Sequence, residues 1–241
     1  MTAPPAADRL IVALDVESTG DAERALAQLG GVTRRYKIGT QLFTASGPAA
    51  VEAVTRRGGE VFLDLKFHDI PNTVAAAARA AARLGVFMFN VHAAGGLAMM
   101  RAAAAAAADE AGRLRIRRPL VTAVTVLTSL DRAALQRELG VASAVEGHVL
   151  HLSRLAREAG LDGSVASPQE IRVIRTGLGP DWVIVTPGVR TRGGPPDDQQ
   201  RVATPAAAAQ AGANYLVVGR PILGASDPAA AARAILDEIA A

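Results

Sequence analysis

The sequence predicts a single α/β domain, a (β/α)₈ (TIM) barrel with its active site at the C-terminal ends of the strands. Short β-branched runs alternate with Ala-, Arg- and Glu-rich stretches along the whole chain. The runs are continuously apolar, as in parallel strands that are covered on both faces. Eight strand–helix units in 241 residues leave about 30 residues for each unit, which is close to the usual size in such barrels.

The apolar runs predict the strands, and the stretches between them predict the helices. The predicted strands cover residues 10–14, 36–38, 61–65, 87–91, 121–126, 163–166, 183–185 and 215–218. The main helical stretches, rich in strong helix formers, cover residues 21–29, 48–57, 73–84, 97–108, 168–175, 205–211 and 228–239. An open doubly wound sheet is the alternative architecture. It is disfavoured because its first strand usually leads into a glycine-rich turn, whereas residues 13–16 read Ala-Leu-Asp-Val.

No linker or change of composition divides the chain. We therefore expect one catalytic domain over residues 9–241, after a flexible Ala/Pro tail at residues 1–8. The apolar run behind that tail has five residues, whereas an export signal needs roughly 7–15 and a membrane-spanning helix about 20. The sequence therefore predicts a cytoplasmic protein without membrane association.

The composition excludes several functional classes. The chain has no cysteine, which excludes disulfides, thiolate metal sites and a cysteine nucleophile. No histidine pair has the spacing of a zinc motif, so we expect no bound metal. The formal net charge is only +3, the arginines are scattered and aromatic residues make up 3% of the chain, so we expect no nucleic-acid partner.

Polar residues follow most of the predicted strands, at the end of a barrel where active sites lie. Five strand ends carry them, namely Asp15, Lys37, Asp64 with Lys66 and Asp69, Thr125 to Thr128, and Arg190. Barrels frequently bind phosphate with the loops after strands seven and eight. The candidate phosphate ligands in those loops are Arg190, Gln199, Gly219 and Arg220.

The densest signal is the ten-residue string 64–73, which reads Asp-Leu-Lys-Phe-His-Asp-Ile-Pro-Asn-Thr. Side chains two apart in a strand share a face, so Asp64 and Lys66 are predicted to project into the same space. The aspartate keeps the lysine cationic, and Asp69 can flank it again. An ordinary strand-end ion pair before a proline turn is the alternative for Asp-x-Lys alone, but the full string is far more specific.

This string resembles the catalytic motif of the orotidine 5′-phosphate decarboxylase family, and the resemblance continues in the family's order over nearly the whole chain. The other matching blocks are residues 13–15, 37–39, 90–93, 124–129, 186–190, 198–201 and 218–221. The resemblance implies decarboxylation of orotidine 5′-phosphate to UMP and CO₂, the last step of de novo UMP biosynthesis. It implies no cofactor, so catalysis must come from placed charge in a dry site.

The resemblance also implies a catalytic tetrad of alternating charge. Its members here are Lys37, Asp64, Lys66 and Asp69. Both lysines of the chain fall in it, whereas the other 24 of the 26 cationic residues are arginines, which do not give up a proton in a protein. We therefore assign Lys66 as the proton donor to C6 of the pyrimidine.

The substrate contacts follow from the same resemblance. Asp15, Lys37 and Asp69 would contact the ribose hydroxyls, and Thr128 would bind the pyrimidine. Pro187 would join the phosphate ligands named above in binding the substrate. A plain barrel-lining threonine is the alternative for Thr128.

The family further implies a homodimer with shared sites. Each subunit would lend Asp69, Ile70 and Thr73 to the site of the other, and a two-fold axis makes that exchange reciprocal. The alternative is a monomer in which Asp69 completes its own tetrad.

Two other functions compete with this interpretation. One is a magnesium-dependent sugar-phosphate decarboxylase or synthase, which also uses an Asp-x-Lys-x-x-Asp strand but resembles a design with a carboxylate at the end of strand two. This chain has Lys37 there. The other is a non-catalytic nucleotide-binding barrel, which gives no reason for both lysines and both aspartates.

Overall fold

Eight strands, with almost all of their residues buried, pair in chain order and close into a barrel in the computed structural model, which describes residues 4–189 and 203–240. All the pairings are parallel, and the last strand pairs with the first. The strands are β1 (Leu10–Ala13), β2 (Arg35–Gly39), β3 (Glu60–Phe67), β4 (Met88–His92), β5 (Leu120–Val124), β6 (Gly163–Val165), β7 (Val183–Thr186) and β8 (Tyr215–Val218). The predicted (β/α)₈ barrel is confirmed.

Helices connect the strands around the barrel. Within the described residues, the α-helices are α1 (Thr19–Leu29), α2 (Thr40–Ser46), α3 (Pro48–Thr55), α4 (Pro71–Arg83), α5 (Gly96–Leu114), α6 (Arg132–Arg137), α7 (Val145–Glu158), α8 (Ile171–Leu178), α9 (Pro205–Ala211), α10 (Arg220–Leu223) and α11 (Pro228–Ala240). Short 3₁₀ turns lie at Ala6–Asp8, Ala93–Gly95 and Pro168–Glu170. None of the helices in these ranges has the length and apolar character needed to cross a membrane.

The structure differs from the sequence prediction mainly at the ends of elements. β3 runs two residues further than predicted, and β5 ends two residues earlier. The predicted helix 168–175 begins as a 3₁₀ turn, because Ser167 and Glu170 form a capping box around it, and continues as α8. The helices α2, α6, α7 and α10 lie outside the main predicted helical stretches. Of these, α2, α6 and α10 have seven, six and four residues, too few to show a clear helical period in the sequence.

Alternate side chains of the strands fill the inside of the barrel. The apolar part of this filling comes from Ile11, Ala13, Phe62, Met88, Leu120, Val183, Val185, Tyr215 and Val217. At the N-terminal end of the strands, the Arg35 guanidinium lies 5.1 and 5.3 Å from the ring centroids of Phe87 and Tyr215. Its Nε also pairs with Glu60 at 2.8 Å. Arg35, paired with Glu60, therefore closes the N-terminal end of the barrel interior. The next inward-facing residue of β2 is Lys37.

Part of the segment predicted as a tail contacts the domain. Ala6–Asp8 form a 3₁₀ turn, and the backbone carbonyl of Asp8 accepts a hydrogen bond from the Arg35 guanidinium. The Asp8 carboxylate also pairs with Arg34 at 3.1 Å. This turn is therefore tied to the closed end of the barrel.

Gly163 of β6 lies so close to β7 that an added Cβ would be 2.3 Å from the carbonyl oxygen of Val183. Gly163→Ala is therefore expected to lower the free energy of unfolding by about 1–3 kcal/mol, the usual cost of overpacking a core. Gly147 of α7 has nothing within 4 Å of its Cβ position. Gly147→Ala is the matched control, and we expect it to leave stability unchanged or raise it by up to about 1 kcal/mol. Urea unfolding measures both, and equal stability of the two variants would contradict the close approach.

Candidate active site

Four charged side chains of alternating sign meet at the C-terminal end of the barrel. Asp15 follows β1, Lys37 lies in β2, and Asp64 and Lys66 lie in β3. The Nζ atom of Lys37 is 2.8 Å from Asp15 Oδ1 and 3.4 Å from Asp64 Oδ2. The Nζ atom of Lys66 is 2.8 Å from Asp64 Oδ1. These four residues form one continuous row of carboxylate and ammonium groups, the charged row.

The two central members of the charged row, Lys37 and Asp64, are largely buried and therefore depend on their ionic partners. The side chains of Lys37 and Asp64 are 11% and 12% exposed, whereas that of Lys66 is 34% exposed. Burial by itself lowers the pKa of Lys37, but attraction to Asp64 and Asp15 and hydrogen bonds to both outweigh it and raise the pKa above the ordinary 10.5. Lys37 therefore stays cationic at neutral pH and holds the two carboxylates together.

β3 is not a regular strand where it carries these charges. Leu63 pairs with Phe89, and the next pairing joins Phe67 to Val91, so three residues of β3 lie opposite one residue of β4. Lys66 lies within this bulge and has a φ of 53°, in the left-handed region that is unusual for a residue with a Cβ. The two charged side chains of β3 meet as predicted. Simple strand alternation is not the reason, because the bulge sets the direction of Lys66.

Asn90 of β4 lies opposite the bulge and is fully buried. Its Nδ2 donates to Asp64 Oδ1 at 2.7 Å, and its Oδ1 accepts from the backbone N–H of Lys66 at 2.8 Å. In the sequence, Asn90 lies in one of the blocks that match the family, but no role was assigned to it. The alternation of β4 is the signal that indicates a buried, inward-facing Asn90, because it places this residue on the same face as Met88.

A glycine leaves room for the charged row. A Cβ on Gly39 would lie 2.9 Å from Lys37 Nζ and 3.4 Å from Asp15 Oδ1. Any larger residue at this position would therefore displace the ammonium group from its carboxylate partner.

The charged row forms one wall of a cavity that opens at the C-terminal end of the barrel. The predicted substrate-binding residues that line the same cavity are Thr128, Pro187, Gly219 and Arg220. Thr128, Pro187 and Gly219 come from the segments after β5, β7 and β8, and Arg220 is the first residue of α10. Three different strand–helix connections therefore build the second wall. The remaining predicted phosphate ligands, Arg190 and Gln199, lie outside the described residues.

Asp69, Ile70 and Thr73 are exposed residues between β3 and the first turn of α4, and they do not line this cavity. The Asp69 carboxylate accepts a hydrogen bond from the backbone N–H of Ile70 at 2.6 Å. Within the described ranges it forms no ion pair with Lys37 or Lys66. Ile70 is 68% exposed, more than any other large apolar side chain in the described part of the chain. One chain therefore brings together only three members of the predicted tetrad.

His92 ends β4 beside the charged row, with its ring centroid 5.4 Å from that of His68. Its pKa is lowered, first by burial and then by the charges of His68 and Lys66, which outweigh the attraction of Asp64. His92 is therefore uncharged at neutral pH. Residues 4–189 and 203–240 contain no group of three or more side chains placed to hold a metal ion.

Comparison with known proteins places the whole barrel in one group. The profile described as "Orotidine 5'-phosphate decarboxylase / HUMPS family" matches residues 8–235. A protein of Moorella thermoacetica named orotidine 5′-phosphate decarboxylase is 59% identical, over 97% of this chain and 93% of its own. A protein of the same name from Halorhodospira halophila is 55% identical over 98% of both chains. The crystal structure of orotidine 5′-phosphate decarboxylase from Lactobacillus acidophilus has a TM-score of 0.86 at 38% identity, and the match covers 97% of this chain and 100% of that one.

The ion pair between Lys37 and Asp15 leads to a prediction about the pKa of Lys37. This pKa can be measured selectively because the chain has only two lysines. Asp15→Asn removes a hydrogen-bonded negative charge from Lys37, so we expect the pKa of Lys37 to fall. Because the pKa of Lys37 is higher in the fold than in the unfolded chain, its protonation stabilises the fold below about pH 10.5. This stabilisation is lost as the pH rises through the raised pKa. The variant is therefore also expected to be less stable than the wild type at neutral pH.

Titration of ¹³C-labelled lysine side chains by NMR measures the pKa of both lysines. Asp237→Asn, which neutralises an exposed carboxylate on α11, is the control and should leave both titrations unchanged. A Lys37 pKa that is the same in Asp15→Asn and wild type would contradict the ion pair.

Proposed function

The chain belongs to the orotidine 5′-phosphate decarboxylase / HUMPS family, and on this basis we propose that it converts orotidine 5′-phosphate to UMP and CO₂, the last step of de novo UMP biosynthesis. The observation that carries the proposal is the charged row, in which Lys37 and Asp64 are largely buried and Lys66 lines the cavity. Relatives named as this enzyme at 55–59% identity over nearly the full chain support the same reaction.

The reaction sets a specific electrostatic problem. The bond between C6 and the carboxylate carbon breaks, CO₂ leaves, and the electron pair stays on C6 in the plane of the pyrimidine ring. Resonance into the ring carbonyls cannot reach an in-plane pair. The developing charge must therefore be stabilised by groups that are already in place in a site with little water.

Lys66 is the proposed source of both stabilisation and proton. Its ammonium group faces the developing carbanion as a cation and transfers a proton to C6, which completes UMP. Asp64, at 2.8 Å from Lys66 Nζ, orients the ammonium group and would lie beside the leaving carboxylate. Because Lys66 is 34% exposed, solvent can return its proton after product release.

The rest of the cavity is proposed to bind the nucleotide. Lys37 and Asp15, joined at 2.8 Å, would hydrogen-bond the ribose hydroxyls. Thr128 would bind the pyrimidine from the loop after β5. Pro187, Gly219 and Arg220, with Arg190 and Gln199, would surround the phosphate, where guanidinium groups bind phosphate oxygens well.

We further propose a homodimer that shares its sites. Asp69, Ile70 and Thr73 are exposed in one chain, and the predicted partner of Lys66 is thus available to a second copy. Such a dimer would also cover the Ile70 side chain, which is 68% exposed in one chain. A single domain over residues 9–241 and a cytoplasmic location are also part of this proposal.

The magnesium-dependent alternative makes the clearest contrast. It requires a carboxylate at the end of the second strand, where this chain has Lys37. We therefore expect the protein, dialysed against EDTA, to decarboxylate orotidine 5′-phosphate at the undiminished rate, as measured by the loss of substrate absorbance. Activity that is lost and then restored by Mg²⁺ would support the alternative. Binding of UMP without any turnover would support a nucleotide-binding barrel.

The proton-donor assignment predicts that charge alone is insufficient at residue 66. Lys66→Ala and Lys66→Arg are both expected to lower kcat by about 10²–10⁴-fold or more, because arginine keeps the positive charge but does not release a proton. Arg101→Ala, a surface cation paired with Glu158 on the outer helices, is the control and should retain full activity. Thermal unfolding checks that all three variants fold. Either Lys66 variant with more than about a tenth of wild-type kcat would overturn the assignment.

Subunit mixing tests the shared site. Inactive Asp69→Ala and Lys66→Ala proteins would form heterodimers in which one site carries both changes and the other carries neither. Random exchange should then restore about a quarter of wild-type activity. Mixing Asp64→Ala with Lys66→Ala is the control, because both changes stay within their own chain's site and no intact site can form. If subunits exchange and no activity returns with Asp69→Ala, Asp69 acts within its own chain.

A further inference from the structure

A backbone amide in the middle of the site has an unusual partner. The bulge in β3 removes the Lys66 N–H from the regular strand ladder, and it donates instead to Asn90 Oδ1 at 2.8 Å. An amide buried without an acceptor is costly, so this bond makes the bulge possible. It also holds a backbone whose φ of 53° is disfavoured for a residue with a Cβ.

Asn90 uses both ends of its side-chain amide. Its Nδ2 donates at 2.7 Å to Asp64 Oδ1, the same oxygen that accepts from Lys66 Nζ at 2.8 Å. One side chain therefore ties the backbone of Lys66 to the carboxylate that holds its ammonium group. Asparagine suits this place because it offers a donor and an acceptor together, whereas an ionised carboxylate has no donor and an apolar side chain has neither.

We propose that Asn90 is a positioning residue for Lys66, which it holds at the place where the ammonium group meets C6 of the substrate. Asn90 is fully buried and is not part of the cavity lining in the described residues, so it acts through Lys66 and Asp64. The catalytic consequence rests on the proposed function, but the structural part concerns Lys66 alone and can be tested without substrate.

The first test uses the wild-type protein with ¹³C- and ¹⁵N-labelled lysine, in which only Lys37 and Lys66 give signals. Backbone ¹³C shifts distinguish left-handed from extended φ, and we expect the left-handed signature for Lys66 and the extended one for Lys37. The Lys66 amide should exchange slowly with solvent, because its proton is bonded to a buried side chain. An extended signature or rapid exchange would overturn the proposal before any variant is made.

Substitutions of Asn90 test whether its two bonds hold the Lys66 backbone. Asn90→Ala removes both bonds, so Lys66 is expected to lose its left-handed signature. Should Asn90→Ala fail to fold, Asn90→Leu, which is close to asparagine in volume and has neither a donor nor an acceptor, takes its place with the same expectation. A left-handed Lys66 in the Ala or Leu variant would overturn the proposal.

Thr122→Val is the matched control. Thr122 of β5 lies directly opposite Asn90 in the strand register and is also fully buried. Its hydroxyl donates to the carbonyl of Phe89 at 3.4 Å, and it has no hydrogen bond to the charged row in the described residues. This variant therefore removes a buried hydrogen bond from the neighbouring strand, and both lysine signatures should be unchanged.

Kinetics with orotidine 5′-phosphate complete the test. Asn90→Ala is expected to lower kcat by about 10²-fold, as for a displacement of a reacting group by about 1 Å. Its KM should change by less than about threefold, since the substrate contacts remain. Thr122→Val should keep the wild-type kcat. An equal fall of kcat in both variants, or a raised KM with unchanged kcat, would contradict positioning. If the wild type itself shows no turnover, the proposed function fails while the NMR experiment still decides the role of Asn90.

Discussion

A carboxylate buried between two ammonium groups is the interaction on which the rest of this site depends. An unpaired ion removed from water costs several kcal/mol, so Asp64 requires partners on every side. Lys37 comes from β2, Lys66 from β3 and the amide of Asn90 from β4. Asp64 therefore has its full set of partners only when three neighbouring strands are in register, and the closed barrel keeps them so.

The inward face of β2 carries two cations with different uses. Arg35 closes the N-terminal end of the barrel, where its planar guanidinium stacks near Phe87 and Tyr215 and pairs with Glu60. Lys37, two residues later, belongs to the charged row at the open end. A guanidinium suits the first position because it is always charged and stacks well on aromatic rings, whereas an ammonium is compact and can exchange its proton. The two lysines of the chain are both members of the charged row.

Much of the candidate site could be predicted because it follows a positional rule. Asp15 follows β1, and Lys37 and Asp64 lie in the neighbouring parallel strands β2 and β3, so their convergence at the C-terminal end follows from the barrel itself. The role of Asn90 could not be predicted in this way. It depends on a bulge of β3 against β4, and a shift of register between two strands leaves no mark on the alternation of either strand alone. The left-handed backbone of Lys66 was hidden for the same reason.

By itself, the sequence determined the fold class, the order of the strands and the residues that carry charge at their ends. These properties follow from local patterns, since apolar runs, helix formers and the polar residues that end a strand are all read within a few neighbours. Only the tertiary structure decided which atoms meet: that Lys37 bridges two carboxylates, that Asn90 completes the bulge, and that Asp69 is exposed outside the cavity of its own chain. The physical reason is that buried polar groups are satisfied by partners distant in the sequence, and the choice of partner is made by packing and register.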